Sequence, residues 1–315
     1  MKKFLALLCS ILFFVSCNQQ DAKFPSKSIT IVVPWAAGGG TDGLARELAK
    51  QATDIFGVQV SVLNQVGGTG TMGHLYGANT ARPDGYTVTM ITYELVTYTP
   101  LKRVNISVDD FKPIMQLNYD PAAITVHSDS PFQTLNDFIE HAKANPGKIT
   151  IGNSGPGAVW HLGAVKLEKA AGVEFTHIPY DGAKPAVTQL LGKHLDAVAV
   201  SPAEVLQYVK EGSLRCLAIM SEERDELLSA IPTFKEEGYD LVHGTWRGLA
   251  VPKDTPDDVV QALSDGFKKA FDSQAFKDQA KKTLLGLKYR NADDFRAYLD
   301  EEAKTDADLI QELEL

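Results

Sequence analysis

The chain has 315 residues, 44% hydrophobic content and a formal net charge of −9, which becomes −11 if the segment carrying Lys2 and Lys3 is removed. That acidity argues against a nucleic-acid partner and offers no long-range attraction to an anionic ligand. Any anion site must therefore work locally, through backbone amides and a few donors. The length suffices for a substantial core, expected as two lobes.

Lys2 and Lys3 precede an apolar run from Phe4 to Val15, too short to span a bilayer comfortably, so residues 1–16 read as a signal peptide. Phe14-Val15-Ser16-Cys17 resembles a bacterial lipobox, with phenylalanine where leucine is usual, which implies lipidation at Cys17 and a polar tether over 17–23. The chain is then expected in the periplasm, anchored to a membrane, or simply secreted there if Cys17 is not acylated. Of the other cysteines, Cys9 lies in the leader, and Cys216 sits in an apolar, strand-like run where it acts as a small hydrophobe.

Ile29 to Val33 is a β-branched run that reads as a buried strand, and the loop Pro34-Trp35-Ala36-Ala37-Gly38-Gly39-Gly40 turns it into an amphipathic helix through Leu48. Such a turn presents N–H groups and the positive end of a helix dipole, which suits an anion. Gln59 to Leu63 is a short strand, followed by the glycine-rich Gly67 to Gly73 and a helix through Ala81. Tyr86 to Thr92 is the next strand, and Phe111 to Val126 reads as extended, broken at Asp120-Pro121. A helix over Leu135 to Ala144 leads to a second strand–glycine loop–helix unit, Lys148 to Gly157 followed by Trp160 to Ala171. Glu174 to Tyr180 is a strand, Asp181-Gly182 opens a helix through Leu191, and Asp196 to Val200 is a further strand. Ser201-Pro202-Ala203-Glu204 makes a capping box with proline at the first helical position. Gly244 to Val251 is extended again, and the remainder is charged, amphipathic helix.

This alternation predicts an α/β protein of two lobes, each a mostly parallel sheet flanked by helices, joined by a two-strand hinge. The divisions expected are 24–120 plus 250–315 for the first lobe and 121–249 for the second. Two anion cradles on separate stretches suggest a ligand clamped between lobes, as in a type II-like periplasmic binding protein.

Competing motifs are weaker. Gly38, Gly40 and Gly43 satisfy the dinucleotide fingerprint, but the next strand ends in Leu63, Asn64 and Gln65, without the carboxylate that would hold a ribose. No lysine follows a glycine loop as a phosphate-binding loop requires: Gly73 is followed by His74 and Leu75. Gly152-Asn153-Ser154-Gly155-Pro156 nearly makes a nucleophile elbow, with Pro156 where the last glycine belongs. The 7 histidines form no metal-ligand spacing, so no metal and no cofactor is expected. His161 reads as a packing or capping residue. Trp35 and Trp160 flank the cradles, either as lobe packing or as walls for a ligand's carbon skeleton.

Pro34 to Asp42, Asn64 to Gly73, Arg82 to Thr87, Gly152 to Leu162, Pro179 to Gly182 and Gly244 to Gly248 together resemble the tripartite tricarboxylate transporter substrate-binding receptors. The resemblance implies a non-enzymatic, monomeric receptor that closes on a small carboxylate, a di- or tricarboxylate or an acidic amino acid, and delivers it to a membrane permease. It points to Ala37, Gly38, Gly39 and Thr41 on one lobe and Ser154 and Gly155 on the other, with Asp42 capping its own helix. Trp35, Asn153 and Tyr180 complete the expected lining. Three departures stand out: Val66 in place of proline, Ala158 in place of a hydroxyl residue, and Tyr93-Glu94 where small polar residues are common. Arg247 is expected to pair with Glu94 or to grip a distal carboxylate, giving a dicarboxylic or amphoteric ligand. A periplasmic hydrolase using Ser154 and a ligand-sensing subunit remain as alternatives.

Overall fold

The branched run Ile29–Val33 forms β1 and is buried at nearly every position. It lies between β2 (Val60–Asn64) and β3 (Thr87–Thr92), parallel to both. The computed structural model describes residues 24–224 and 228–312, so the expected leader (1–16), the tether (17–23) and Cys17 lie outside the described residues. Among the described residues no helix is long and apolar enough to cross a membrane.

The architecture is mixed α/β, with two sheets flanked by helices. In the first sheet the order is β11-β4-β10-β3-β1-β2, with β4 at Phe111–Pro121, β10 at Gly244–Pro252 and β11 at Leu287–Arg290. The second runs β7-β6-β8-β5-β9: β5 is Ala123–His127, β6 Thr150–Asn153, β7 Thr176–Pro179, β8 Ala197–Val200 and β9 Leu214–Ile219. The expectation of mostly parallel sheets holds only for β1–β3 and β6–β8; β10 is antiparallel to both β3 and β4, and β5 to both β8 and β9. The reason is chain direction. β4 leads straight through Ala122 into β5 with no crossover helix, and the chain returning along β10 runs back between β4 and β3.

The crossing point is tightly stitched. Ala122 N–H donates to His243 O (2.8 Å), and Met220 N–H donates to Ala122 O (2.8 Å). Gly244 opposes Pro121, and a Cβ on Gly244 would stand 2.4 Å from Asp120 O, so only glycine lets the strands approach this closely.

Helices cover both sheets. Leu44 and Leu48 of α1 (Gly40–Phe56) pack with Ile29, Ile31 and Val33, and with Phe267 of α8 (Asp257–Asp272) and Phe276 of α9 (Gln274–Lys282). α2 (Thr71–Leu75) continues into a wider turn over Tyr76–Thr80, and α3 (Glu94–Thr97) follows β3 directly. Around the second sheet lie α4 (Leu135–Ala144), α5 (Val159–Ala171), α6 (Ala183–Leu191) and α7 (Pro202–Lys210). Phe295 and Leu299 of the last helix, α10 (Ala292–Glu312), join a core with Trp246 of β10.

Candidate ligand-binding site

Both glycine-rich turns end at the cleft between the sheets. The first leaves β1 at Val33 and enters α1 at Gly40, with Gly38 in the left-handed region (φ +80°). Asp42 does cap its own helix: its Oδ2 accepts the Gly38 N–H (2.8 Å) and the Arg46 Nε–H (2.8 Å), and its Oδ1 accepts from Asn64 (3.0 Å). Burial would raise the Asp42 carboxyl, but those donors hold it below the ordinary carboxylate value. In the second turn Asn153 Oδ1 accepts the Gly155 N–H (3.0 Å), and His161 Nδ1 accepts the Gly157 N–H (3.0 Å), so His161 is a capping residue. The first turn also meets the turn after β7, where Ala36 N–H donates to Asp181 O (3.4 Å), and it lines one cavity with Ser154 of the second turn.

Between them is a cavity of about 20 Å³, the room of one or two waters by that measure. Of the expected residues, Trp35, Gly39, Thr41, Glu94, Ser154 and Arg247 line it. A larger groove of about 580 Å³ adjoins it, lined by α1, α7 and α9 and sharing Gly39, Gly40, Lys184 and Glu204 with the inner cavity.

Six expected residues are not in the cavity wall, each for a visible reason. Ala37 is exposed on the outer side of its turn, and Gly38 lines the outer groove instead. Tyr93 turns away and donates its hydroxyl to Asp306 Oδ1 on α10 (2.7 Å). Asn153 is spent on the Gly155 N–H within the turn and on His177 of β7, Gly155 backs onto Thr69, and half-buried Tyr180 contributes its N–H to Asn153 O (3.0 Å). Trp160 joins Trp35 in the wall, and Lys184, Glu204 and Thr245 line the cavity without a signal in the sequence that places them there.

Arg247 does not pair with Glu94. Its Nη1 donates to Asp120 Oδ2 and its Nε donates to Thr41 Oγ1 (2.8 Å), both inside the first-sheet half. Glu94 instead accepts from Thr92 Oγ1 (2.5 Å) and from the Val159 N–H at the start of α5 (3.1 Å). Burial raises the Glu94 carboxyl, opposed by these donors and by Arg247. Glu204 is raised by burial too, and Arg247 again opposes. His74 props the end of β3 by accepting the Thr92 N–H on Nε2 (3.2 Å), and burial lowers its pKa to about 3, so it stays neutral.

Ser154 is 2% exposed, and its Oγ has no hydrogen-bond partner. A buried hydroxyl without a partner is costly, so its place in the cavity wall marks it as a waiting contact.

The sequence matches the family described as "Tripartite tricarboxylate transporter family receptor" over residues 44–315. The chain belongs to that family. It is 35% identical over 302 residues to the "UPF0065 protein in gbd 5′ region" of Cupriavidus necator, covering 94% of this chain and 90% of that relative. A crystal structure of a TctC solute-binding protein from Polaromonas, described as holding no ligand, shares 39% identity over 92% of this chain and 99% of the other, with a TM-score of 0.67. The periplasmic binding protein BugD shares 30% identity over 92% and 98%, with a TM-score of 0.88. The chain is thus of a family of solute-binding proteins, not enzymes, and that family implies a place outside the cytoplasm.

Proposed function

We propose that this receptor binds a small carboxylate in the cleft between its two sheets and delivers it unaltered to a membrane permease. The observation that carries the reading is the unpartnered Ser154 hydroxyl, buried in a cavity that Thr41 and Arg247 line from the opposite half. A carboxylate there would bridge the halves and favour closure through contacts available only in the closed form.

The expected boundary at 249/250 would cut β10, which pairs with the first sheet from Gly244 onward, so the lobes we assign are 24–121 plus 244–315 and 122–243, hinged where β4 passes into β5 and where β10 returns beside it. Two observations support hinged motion. The inner cavity of about 20 Å³ admits no metabolite of several carbons until the halves part. The Polaromonas relative also has the higher identity but the lower TM-score of the two structures compared, as a different angle between otherwise similar lobes would produce. We further assign lipidation to Cys17, which mass spectrometry of the membrane-extracted protein tests.

Gently purified protein, denatured and examined for released small molecules, should yield a carboxylate that binds again and is recovered unchanged after incubation. Recovery of no carboxylate, or its conversion to product, would refute the reading.

A further inference from the structure

Two glutamates reach the cavity from opposite halves, and each is held by the half it faces. Glu94 begins α3, next to β3 of the first sheet, yet its Oε1 accepts the N–H of Val159, the first residue of α5 beside the second sheet (3.1 Å). Glu204 lies in the first turn of α7, beside the second sheet, yet its Oε1 accepts the N–H of Gly40, the first residue of α1 (3.3 Å). The helix starts that the glycine loops prepare for an anion are therefore each met by a carboxylate of the chain itself. Each glutamate's other oxygen is also bonded, Glu94 Oε2 to Thr92 Oγ1 (2.5 Å) and Glu204 Oε2 to the Ser201 N–H (3.1 Å).

The positive charge nearby is mostly committed. Arg247 is bonded to Asp120 and Thr41, leaving its Nη2 edge near Gly40, where a Cβ would stand 3.2 Å away. Lys184, half-buried at the rim, gives its Nζ to Tyr208 Oη (2.8 Å). The guanidinium of Arg247, balanced by Asp120, and the ammonium of Lys184, whose phenol partner leaves its charge uncompensated, thus share the cavity wall with Glu94 and Glu204. A ligand carrying only negative charge would enter beside two glutamates that share one uncompensated cation, Lys184 at the rim, where low dielectric sharpens repulsion. Ser154 Oγ, buried in the same wall and unpartnered, shows independently that a polar guest is due there.

We propose that the ligand is amphoteric: a small carboxylate that also carries a protonated nitrogen. The nitrogen is received between Glu94 and Glu204, and the carboxylate by Ser154 Oγ and the Nη2 edge of Arg247. An ammonium has three donors and finds acceptors on both glutamates, so the guest and the site neutralise one another. The proposal rests on the carboxylate-receptor reading and narrows it.

Calorimetric titration of the purified, metabolite-free protein with pairs differing by one amino group tests it: L-aspartate and succinate, L-glutamate and glutarate, 4-aminobutyrate and butyrate. In at least one pair the amino member should bind tenfold tighter or more, and Glu94→Gln and Glu204→Gln should each shrink that ratio at least fivefold while the far-ultraviolet circular dichroism stays unchanged. If every deaminated compound matches its partner in the wild-type protein, or neither substitution moves the ratio, the amphoteric assignment is wrong and the carboxylate reading survives. If no member of any pair binds, the carboxylate reading falls, and this inference with it.

Discussion

Replacing Ser154 with alanine should make the free protein more stable and the receptor worse. The Ser154 side chain is 2% exposed and its hydroxyl lacks a partner, so folding strips it of water without recompense. Such a group costs about 1–3 kcal/mol. Removing one oxygen beside an existing cavity of about 20 Å³ sacrifices little packing. The variant should therefore unfold at higher urea concentration, by about 1 kcal/mol in free energy. A hydrogen bond to a charged ligand group contributes about 1.5–3 kcal/mol, so affinity for the released carboxylate should fall about 10- to 150-fold. Urea denaturation followed by tryptophan fluorescence, and calorimetric titration, measure the two effects separately. A variant that loses stability and keeps its affinity would refute the reasoning, because the hydroxyl would then serve the fold.

Other perturbations follow from the same structure. Arg247→Ala and Asp120→Ala should each destabilise by about 3–5 kcal/mol, since each removes one partner of a buried ion pair. The double variant should cost clearly less than the two losses added, and additivity in urea denaturation would show that the pair is not coupled. Burial raises the Asp306 carboxyl to about 7, with neighbouring Glu302 adding to the effect. The folded chain then holds a proton that the unfolded chain releases near pH 4. Stability attributable to this group accordingly falls as pH rises from about 4 to about 7 and is flat above, by up to about 4 kcal/mol. Asp306→Asn should flatten that part of the pH–stability curve, and an unchanged slope would contradict the assignment. Gly73→Ala should cost about 1–3 kcal/mol or more, because its Cβ would stand 2.6 Å from Pro34 Cα, backbone that cannot yield. A melting temperature equal to the wild type would show that α2 shifts freely.

The local units were legible because each carries its own signal. The branched run of β1, the glycine loop and the apolar stripe of α1 lie in one continuous stretch, and the second cradle repeats the pattern at β6 and α5. The capping box at Ser201 and Glu204 was equally readable, and it forms. What sequence could not disclose is that Glu204 also reaches Gly40, 164 residues away, since nothing local distinguishes a glutamate that merely caps from one that also crosses a cleft. For Arg247 the expected pairing with Glu94 fails, while a grip on a distal carboxylate stays a proposal: its partner is Asp120, two residues along β4 from its register mate Asn118, a pairing of β10 with β4 that neither segment encodes alone. Strand direction was misjudged for the same reason. Helices alternating with strands look like parallel units until the chain is known to pass from one sheet to the other and back. β11 escaped notice because Leu287–Arg290 is short, half charged and framed by helices.

The most direct test is a structure of the protein with its own co-purified ligand. The account predicts one carboxylate of that molecule within hydrogen-bond distance of Ser154 on one half and of Arg247 or Thr41 on the other, with the halves closed around it. A ligand seated wholly in the outer groove against α7 and α9, touching neither Ser154 nor Arg247, would contradict it.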